Sequence, residues 1–217
     1  MTIYFTALAA IMLVAGLAWV GSVLVNKYSA VDSLWSLFFL LAAAVFAVGA
    51  GELSERAMLV IALVALWSLR LSLYITVRNW GEPEDYRYEA IREKNEPGFV
   101  VKSLYIVFGL QGLLAWIISA PLLPAINSGS GPGIIDAAAV SLFVLGFIFA
   151  AVGDWQLSRF KSDPSNKGKV LDTGLWRYTR HPNYFGNACI WWAFWLFAVA
   201  AGAWWTIFAP LLMTFLL

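Results

Sequence analysis

The sequence predicts an all-α, polytopic membrane helix bundle of about seven transmembrane helices, forming a single integral membrane domain over 1–217. Three observations predict it. Hydrophobic residues make up 61% of the chain and charged residues only 12%, about half of the roughly 25% charged share usual in soluble domains. The mean hydropathy is +0.76. The apolar residues also gather into runs near the roughly 20 residues that a spanning helix needs. The same composition excludes other classes. A net charge of +1 removes the bulk-charge case for a nucleic-acid partner. A single cysteine, Cys189, excludes a disulfide framework, and a single histidine, His181, excludes a His-rich metal centre. No metal site is expected.

Seven runs carry the prediction: about 3–25, 33–50, 57–77, 99–126, 134–153, 184–202 and 203–217. The first lacks a basic leading region, since its first basic residue is Lys27 behind it, and it is too long for a signal-peptide core, so it reads as a true span. The second follows Asp32. The third carries Arg70 and the fourth Gln111. A loose Gly/Ser stretch, 127–133, precedes the fifth, which ends at Asp154. The sixth starts just after Pro182. The sixth and seventh are nearly continuous around Gly202, as a tight hairpin or as one long segment with a stub. The chain stops at Phe215-Leu216-Leu217 inside an apolar run, so a polar tail beyond it is expected.

The charges sort by side. Twelve of the fourteen basic residues, including Lys27, Arg78, Arg87, Lys102, Lys161 and Arg180, fall in or beside the first, third and fifth connections. Arg56 lies on the opposite side and Arg70 inside a span. The positive-inside rule then places these three connections in the cytoplasm and the N-terminus outside, as in a bacterial inner membrane or its equivalent. Trp19, Trp35, Trp80, Trp155 and Trp204 sit near the expected interfaces, as aromatic belts do. The lipid bilayer is the expected surrounding partner; the oligomeric state is not legible.

Polar residues concentrate in two cytoplasmic stretches, Arg78 to Tyr88 and Gly153 to Gly186. In the second, Arg177, Arg180 and His181 are interleaved with Tyr178 and Tyr184, just before Pro182 and Asn183 open the next span. Basic forks beside a helix N-terminus favour phosphate or carboxylate, and tyrosines can stack on a ring. A juxtamembrane basic cluster touching anionic headgroups is the other reading. Arg70 is a charge within a span, which costs at least roughly 2.5–3.5 kcal/mol, so it should face the protein interior and meet a partner. Asp32 or Asp154 would make it a structural ion pair; a substrate-polarising role is the alternative. Gln111 reads as glue between helices, Cys189 as a packing residue.

The pattern Trp67-Ser-Leu-Arg70, then Glu84-Asp85-Tyr86-Arg87-Tyr88, then Gly153-Asp154-Trp-Gln156, Phe160-Lys161, Lys167-Gly-Lys169 and Gly174-Leu-Trp-Arg-Tyr-Thr-Arg-His-Pro-Asn-Tyr-Phe-Gly186 resembles the DUF1295 family, which belongs with the steroid 5-alpha-reductase-like membrane enzymes. The Arg180-His181-Pro182 core is also similar to that of isoprenylcysteine carboxyl methyltransferases. The resemblance implies a bundle that binds NADPH from the cytosol and reduces an activated carbon–carbon double bond in a small hydrophobic, lipid or steroid-like substrate. It implies cofactor-binding roles for Asp154, Lys161, Lys169 and Asn183, and for Arg78 and Asn79. Arg177, Tyr178, Arg180, His181 and Tyr184 join that set from the basic cluster. No Gly-x-Gly-x-x-Gly follows a strand, so no Rossmann domain holds the dinucleotide.

The chain departs from the steroid reductases at the group that polarises the substrate ketone, a glutamate paired with a tyrosine. Counted back from Arg70, the tyrosine position holds Trp67, and the nearest match to the glutamate is Asp32. The expected catalytic set is therefore Asp32 and Arg70. Asn187 stands where the superfamily commonly has Glu. Two alternatives stay open: an S-adenosylmethionine-dependent methyltransferase, and a non-catalytic lipid-binding protein. The six cations of the fifth connection suit a phosphate-rich dinucleotide better than a sulfonium cofactor.

Overall fold

The computed structural model describes residues 2–217. The chain is an all-α, multi-pass membrane protein, with no strand among the described residues. It divides into two compact units, Met1–Ser130 and Gly131–Leu217. Among the described residues, five helices are long and apolar enough to cross a membrane.

The first unit contains α1 (Thr2–Val25), α2 (Ala30–Ala50), α3 (Glu55–Arg78), α4 (Tyr86–Asn95), α5 (Phe99–Ser103), α6 (Leu110–Ile118) and α7 (Leu122–Asn127). A π-helical turn, Leu104–Gly109, joins α5 to α6, and together they form one 20-residue span, Phe99–Ile118. The centre is α2, which packs on α1, α3, α6 and α7. It buries Phe38, Phe39, Ala42, Ala43 and Phe46 completely or nearly so. Ser36 Oγ donates to the Ser68 carbonyl at 2.9 Å, a polar tie between helices of the kind that supplements packing in lipid. Outward faces stay apolar. Leu66, Leu69, Leu73 and Val77 of α3 are all at least half exposed, a stripe that water would not tolerate and acyl chains cover.

Local chemistry sets the ends. Ser54 caps α3 by accepting from Ala57 N at 3.2 Å, and Asp85 caps α4 by accepting from Arg87 N at 2.9 Å. The fourth apolar run, expected as one span over 99–126, is broken. Pro121 has no N–H to continue the helical ladder and disfavours helical geometry in the residue before it. The helix therefore ends at Ile118, and α7 is a separate short piece.

The second unit contains α8 (Ile134–Ser162), α9 (Pro182–Ala200) and α10 (Phe208–Leu216). The expected span ended at 153, but α8 runs on through 29 residues, about 43 Å at 1.5 Å per residue. Its last turns carry Asp154, Arg159 and Lys161 beyond the apolar part. Between α9 and α10 the chain reverses at Gly202, whose φ of +81° suits glycine. Trp192 Nε1 donates to Thr214 Oγ1 at 3.2 Å, so the two last runs form a hairpin. The returning segment, Trp204–Leu216, falls short of spanning length.

Helices α8 and α9 touch backbone to backbone. A Cβ on Gly186 would lie 2.4 Å from Ala150 N and from Gly146 O. On Gly146 it would lie 2.6 Å from Gly186 O. Gly146, Ala150 and Gly153 recur at three- and four-residue spacing and so share one face of α8, the small-residue packing typical of membrane helices.

Candidate functional site

In the second unit, the segment between α8 and α9 folds back along the end of α8 and encloses a cleft of about 700 Å³. Short-range chemistry shapes it. Asp163 Oδ1 accepts from Ser165 N at 2.9 Å, and Asn166 Nδ2 donates to the Phe160 carbonyl at 3.1 Å. Further on, Gln156 Oε1 of α8 accepts from Leu175 N at 3.0 Å. Gly174 has a φ of +60°, and a Cβ there would sit 2.2 Å from the Gln156 amide nitrogen. Trp176 Nε1 donates to the Gly153 carbonyl at 3.1 Å. His181 stacks on Tyr184 with ring centroids 5.0 Å apart and planes at 23°. Pro182 then opens α9 at the position where a missing N–H costs nothing.

The cleft wall carries Lys161, Lys167, Lys169 and Arg180 against Asp163 and Asp172. Trp176 and His181 add ring surface to it. The cations are exposed, and the carboxylates are too few to neutralise them. Two other residues lie in the α8–α9 seam. Asp154, 4% exposed, accepts through Oδ1 from Asn183 Nδ2 at 3.0 Å. The Asn183 Oδ1 is buried and takes no hydrogen bond among the described residues. Asn187 Nδ2 donates to the Asn183 carbonyl at 2.9 Å.

In the first unit, α4 lies across one end of the helices and ties them with charge. Arg87 donates to Asp32 Oδ2 and to Asp85 Oδ2, each at 2.9 Å. Tyr88, 6% exposed, donates its hydroxyl to Asp32 Oδ1 and accepts from Gln111 Nε2 at 3.2 Å. Burial, followed by the Asp32 charge, pushes the Tyr88 hydroxyl far above its ordinary pKa, so it stays protonated. The hydrogen bond from Arg87 holds Asp85 below the usual carboxylate range, and the same bond holds Arg87 more firmly protonated. Glu84 accepts from Tyr28 N, Ser29 N and Asp85 N. Each polar member of Glu84-Asp85-Tyr86-Arg87-Tyr88 except the exposed Tyr86 thus has a partner at this end. Arg92 lies over the Tyr28 and Phe99 rings at 5.2 and 5.4 Å.

The family described as "protein of unknown function (DUF1295)" matches residues 18–217. The chain belongs to the DUF1295 family. This DUF1295 protein is 30% identical over 226 residues to the uncharacterized protein C594.04c of Schizosaccharomyces pombe (strain 972 / ATCC 24843), an alignment covering 88% of this chain and 64% of the relative. The chain thus spans 64% of that curated relative's length. No solved structure matches it.

The DUF1295 fold distributes the residues singled out in the sequence. Lys161, Lys169, Arg180 and His181 share the cleft, joined by Lys167, Trp176, Asp163 and Asp172. Arg177, Tyr178 and Tyr184 do not line it; Tyr178 is 81% exposed. Asp154 and Asn183 bond to each other. Arg78, Asn79, Asp32 and Arg70 belong to the first unit. Arg78 Nε donates to Asn79 Oδ1 at 3.1 Å. Asp32 takes Arg87 and Tyr88 rather than Arg70 as partners. Arg70 is half-buried on α3 with its Nε enclosed, one turn after Trp67, which packs edge-on against Phe39 at 5.5 Å. Sequence reasoning missed Tyr88 as the partner of Asp32, although the motif containing it had been noted. The signal was a tyrosine next to a charge cluster, with nothing local to say which distant carboxylate it meets.

Proposed function

We propose that the protein is an NADPH-dependent membrane reductase of a carbon–carbon double bond in a lipid or steroid-like substrate. The observation that carries this reading is the charge of the cleft: Lys161, Lys167, Lys169 and Arg180 gathered against two carboxylates. Anionic phosphates offset such an excess through charge-assisted hydrogen bonds. The cleft volume of about 700 Å³ falls within the roughly 300–1,000 Å³ of small-molecule and cofactor sites. Its residues therefore fit the dinucleotide: cations for phosphates, and Trp176 and His181 as ring surfaces.

When bound, NADPH supplies the hydride; a proton completes the second new C–H bond as the double bond is lost. Asp32 and Tyr88 take the polarising role that the resemblance gives to a carboxylate and a tyrosine. Tyr88 remains a neutral donor, Asp32 orients it, and turning the hydroxyl hydrogen from Asp32 towards a substrate carbonyl needs no ring movement. Arg70 completes the catalytic set. The exposed apolar faces suit a substrate that arrives through the bilayer.

Equilibrium binding to detergent-purified protein tests the reading. NADPH should bind more tightly than NADH, with affinity falling as ionic strength rises, because exposed cations are screened. Lys161→Ala and Lys169→Ala should each weaken NADPH binding by about tenfold, as loss of a charged hydrogen bond implies, and narrow its preference over NADH. Binding of S-adenosylmethionine without NADPH would establish the methyltransferase alternative instead.

The proposal includes cytoplasmic polar stretches and an external N-terminus. With Cys189 replaced by alanine, a cysteine at Ser128 should react with an impermeant thiol reagent from outside intact cells, and one at Ser165 should not. Reversed labelling would overturn this topology.

A further inference from the structure

The first unit holds a second, smaller cavity that the proposed reaction does not use. It has a volume of about 260 Å³ and lies where α2 begins and α3 ends, lined by Lys27, Ser29, Ser33, Thr76, Asn79 and Trp80 among others. We infer that it holds the phosphate headgroup of an anionic glycerophospholipid. The inference does not rest on the reductase reading.

Three features argue for this occupant. The first is a placed cation. Lys27 Nζ donates to the Asn79 carbonyl at 3.1 Å and the Glu82 carbonyl at 2.7 Å. Two neutral carbonyls fix the ammonium and leave it one further N–H. Lys27 makes no ion pair among the described residues. The neighbouring Glu84 carboxylate is taken up by three backbone N–H groups. Beside the ammonium, Ser29, Ser33 and Thr76 supply hydroxyls, suited to phosphodiester oxygens and to a polyol head.

The second feature is size. A cavity of about 260 Å³ is below the roughly 300–1,000 Å³ of sites that enclose whole small molecules. It suits a headgroup whose remainder lies outside. A dinucleotide, the ligand that resemblance assigned to Asn79, does not fit within it. The third feature is what lies outside. The exposed stripe Leu66, Leu69, Leu73 and Val77 runs along α3 and ends beside Thr76. Acyl chains can follow it away from the cavity. Trp80, 80% exposed, flanks the opening with an amphipathic ring of the kind that sits at headgroup depth.

Native mass spectrometry of the full chain in detergent tests the site, with phosphatidylglycerol, phosphatidylcholine, soluble glycerol phosphate and NADPH as probes. One phosphatidylglycerol should be retained per chain, more tightly than phosphatidylcholine, whose choline cation meets Lys27. Lys27→Met should weaken it by about tenfold, the effect of one charged hydrogen bond. Ser33→Leu fills the cavity without changing charge, should also weaken retention, and serves if Lys27→Met does not fold. Phosphatidylglycerol retention unaffected by both variants would overturn the site. Soluble glycerol phosphate bound as tightly as the lipid would overturn the lipid assignment in favour of free phosphate. Displacement of phosphatidylglycerol by NADPH would overturn the lipid assignment and return Asn79 to the cofactor.

Discussion

Gly186→Ala is expected to destabilise the protein by roughly 1–3 kcal/mol or more, the range seen when a packed interior is overfilled. The added methyl would stand 2.4 Å from Ala150 N and Gly146 O. Both are backbone atoms of a helix, so no side chain can rotate away; α8 and α9 must separate. Separation would also stretch the bond from Asn183 to Asp154, since Asn183 sits one turn before Gly186 on the same helix. A thermal melt in detergent measures the effect. Gly16→Ala provides the contrast, because a Cβ on Gly16 meets nothing within 4 Å. There alanine should be neutral or stabilising, by up to about 1 kcal/mol from helix propensity. Equal melting temperatures for the two variants would show that the close contact carries little of the unit's stability.

The second large effect is expected at Asp32. Asp32→Ala removes the carboxylate acceptor of Tyr88 and one of the two carboxylates that Arg87 bonds, leaving Asp85. The Arg87 side chain is 52% exposed, so water replaces much of what it loses. Tyr88 is buried, and its stranded hydroxyl should dominate the cost, about 1–3 kcal/mol. A double-mutant cycle separates the two: in a Tyr88→Phe background, Asp32→Ala should cost markedly less than in the parent. Additive costs would mean that the Tyr88–Asp32 bond contributes nothing. On the proposed reductase reading, Tyr88→Phe should also abolish turnover while leaving NADPH binding unchanged, which a purely structural tyrosine would not do.

Much of this architecture was legible because hydropathy reports directly on what lipid tolerates. The runs at 3–25, 33–50 and 57–77 correspond to α1, α2 and α3 within a few residues. What hydropathy cannot see is backbone geometry. The 99–126 run is apolar throughout, yet Pro121 divides it. Conversely, α8 continues past Asp154 because helix formation outlasts the apolar segment once polar side chains are solvated. The cleft was partly legible for a similar reason: Lys161, Lys169, Arg180 and His181 lie in one connection, so short-range folding alone gathers them. Asp32 and Tyr88 are 56 positions apart, and only the packing of α4 across the helix ends joins them. The glycines were legible as motif members but not as contacts. Gly174 and Gly186 each stand where a methyl would strike a neighbour, so part of what makes that motif distinctive is steric rather than chemical.

The π-helical turn at Leu104–Gly109 bears on how one span serves two sets of neighbours. Before it, Ser103 and the Val100 carbonyl accept from Trp19 Nε1 at 3.1 and 3.0 Å. After it, Gln111 reaches Tyr88. An α-helix advances about 100° per residue, since 3.6 residues complete a turn, and a π turn holds one residue more than an α turn. The wider turn therefore acts as a phase shifter, resetting the azimuth of everything beyond it while the span continues along the same axis. Tightening this turn into regular α-helix with every residue kept would rotate everything beyond it by about 100°, and Ser103 and Gln111 could no longer both face their partners. The register of the segment is thus fixed by angle rather than by hydrophobicity, a constraint that no hydropathy profile would register.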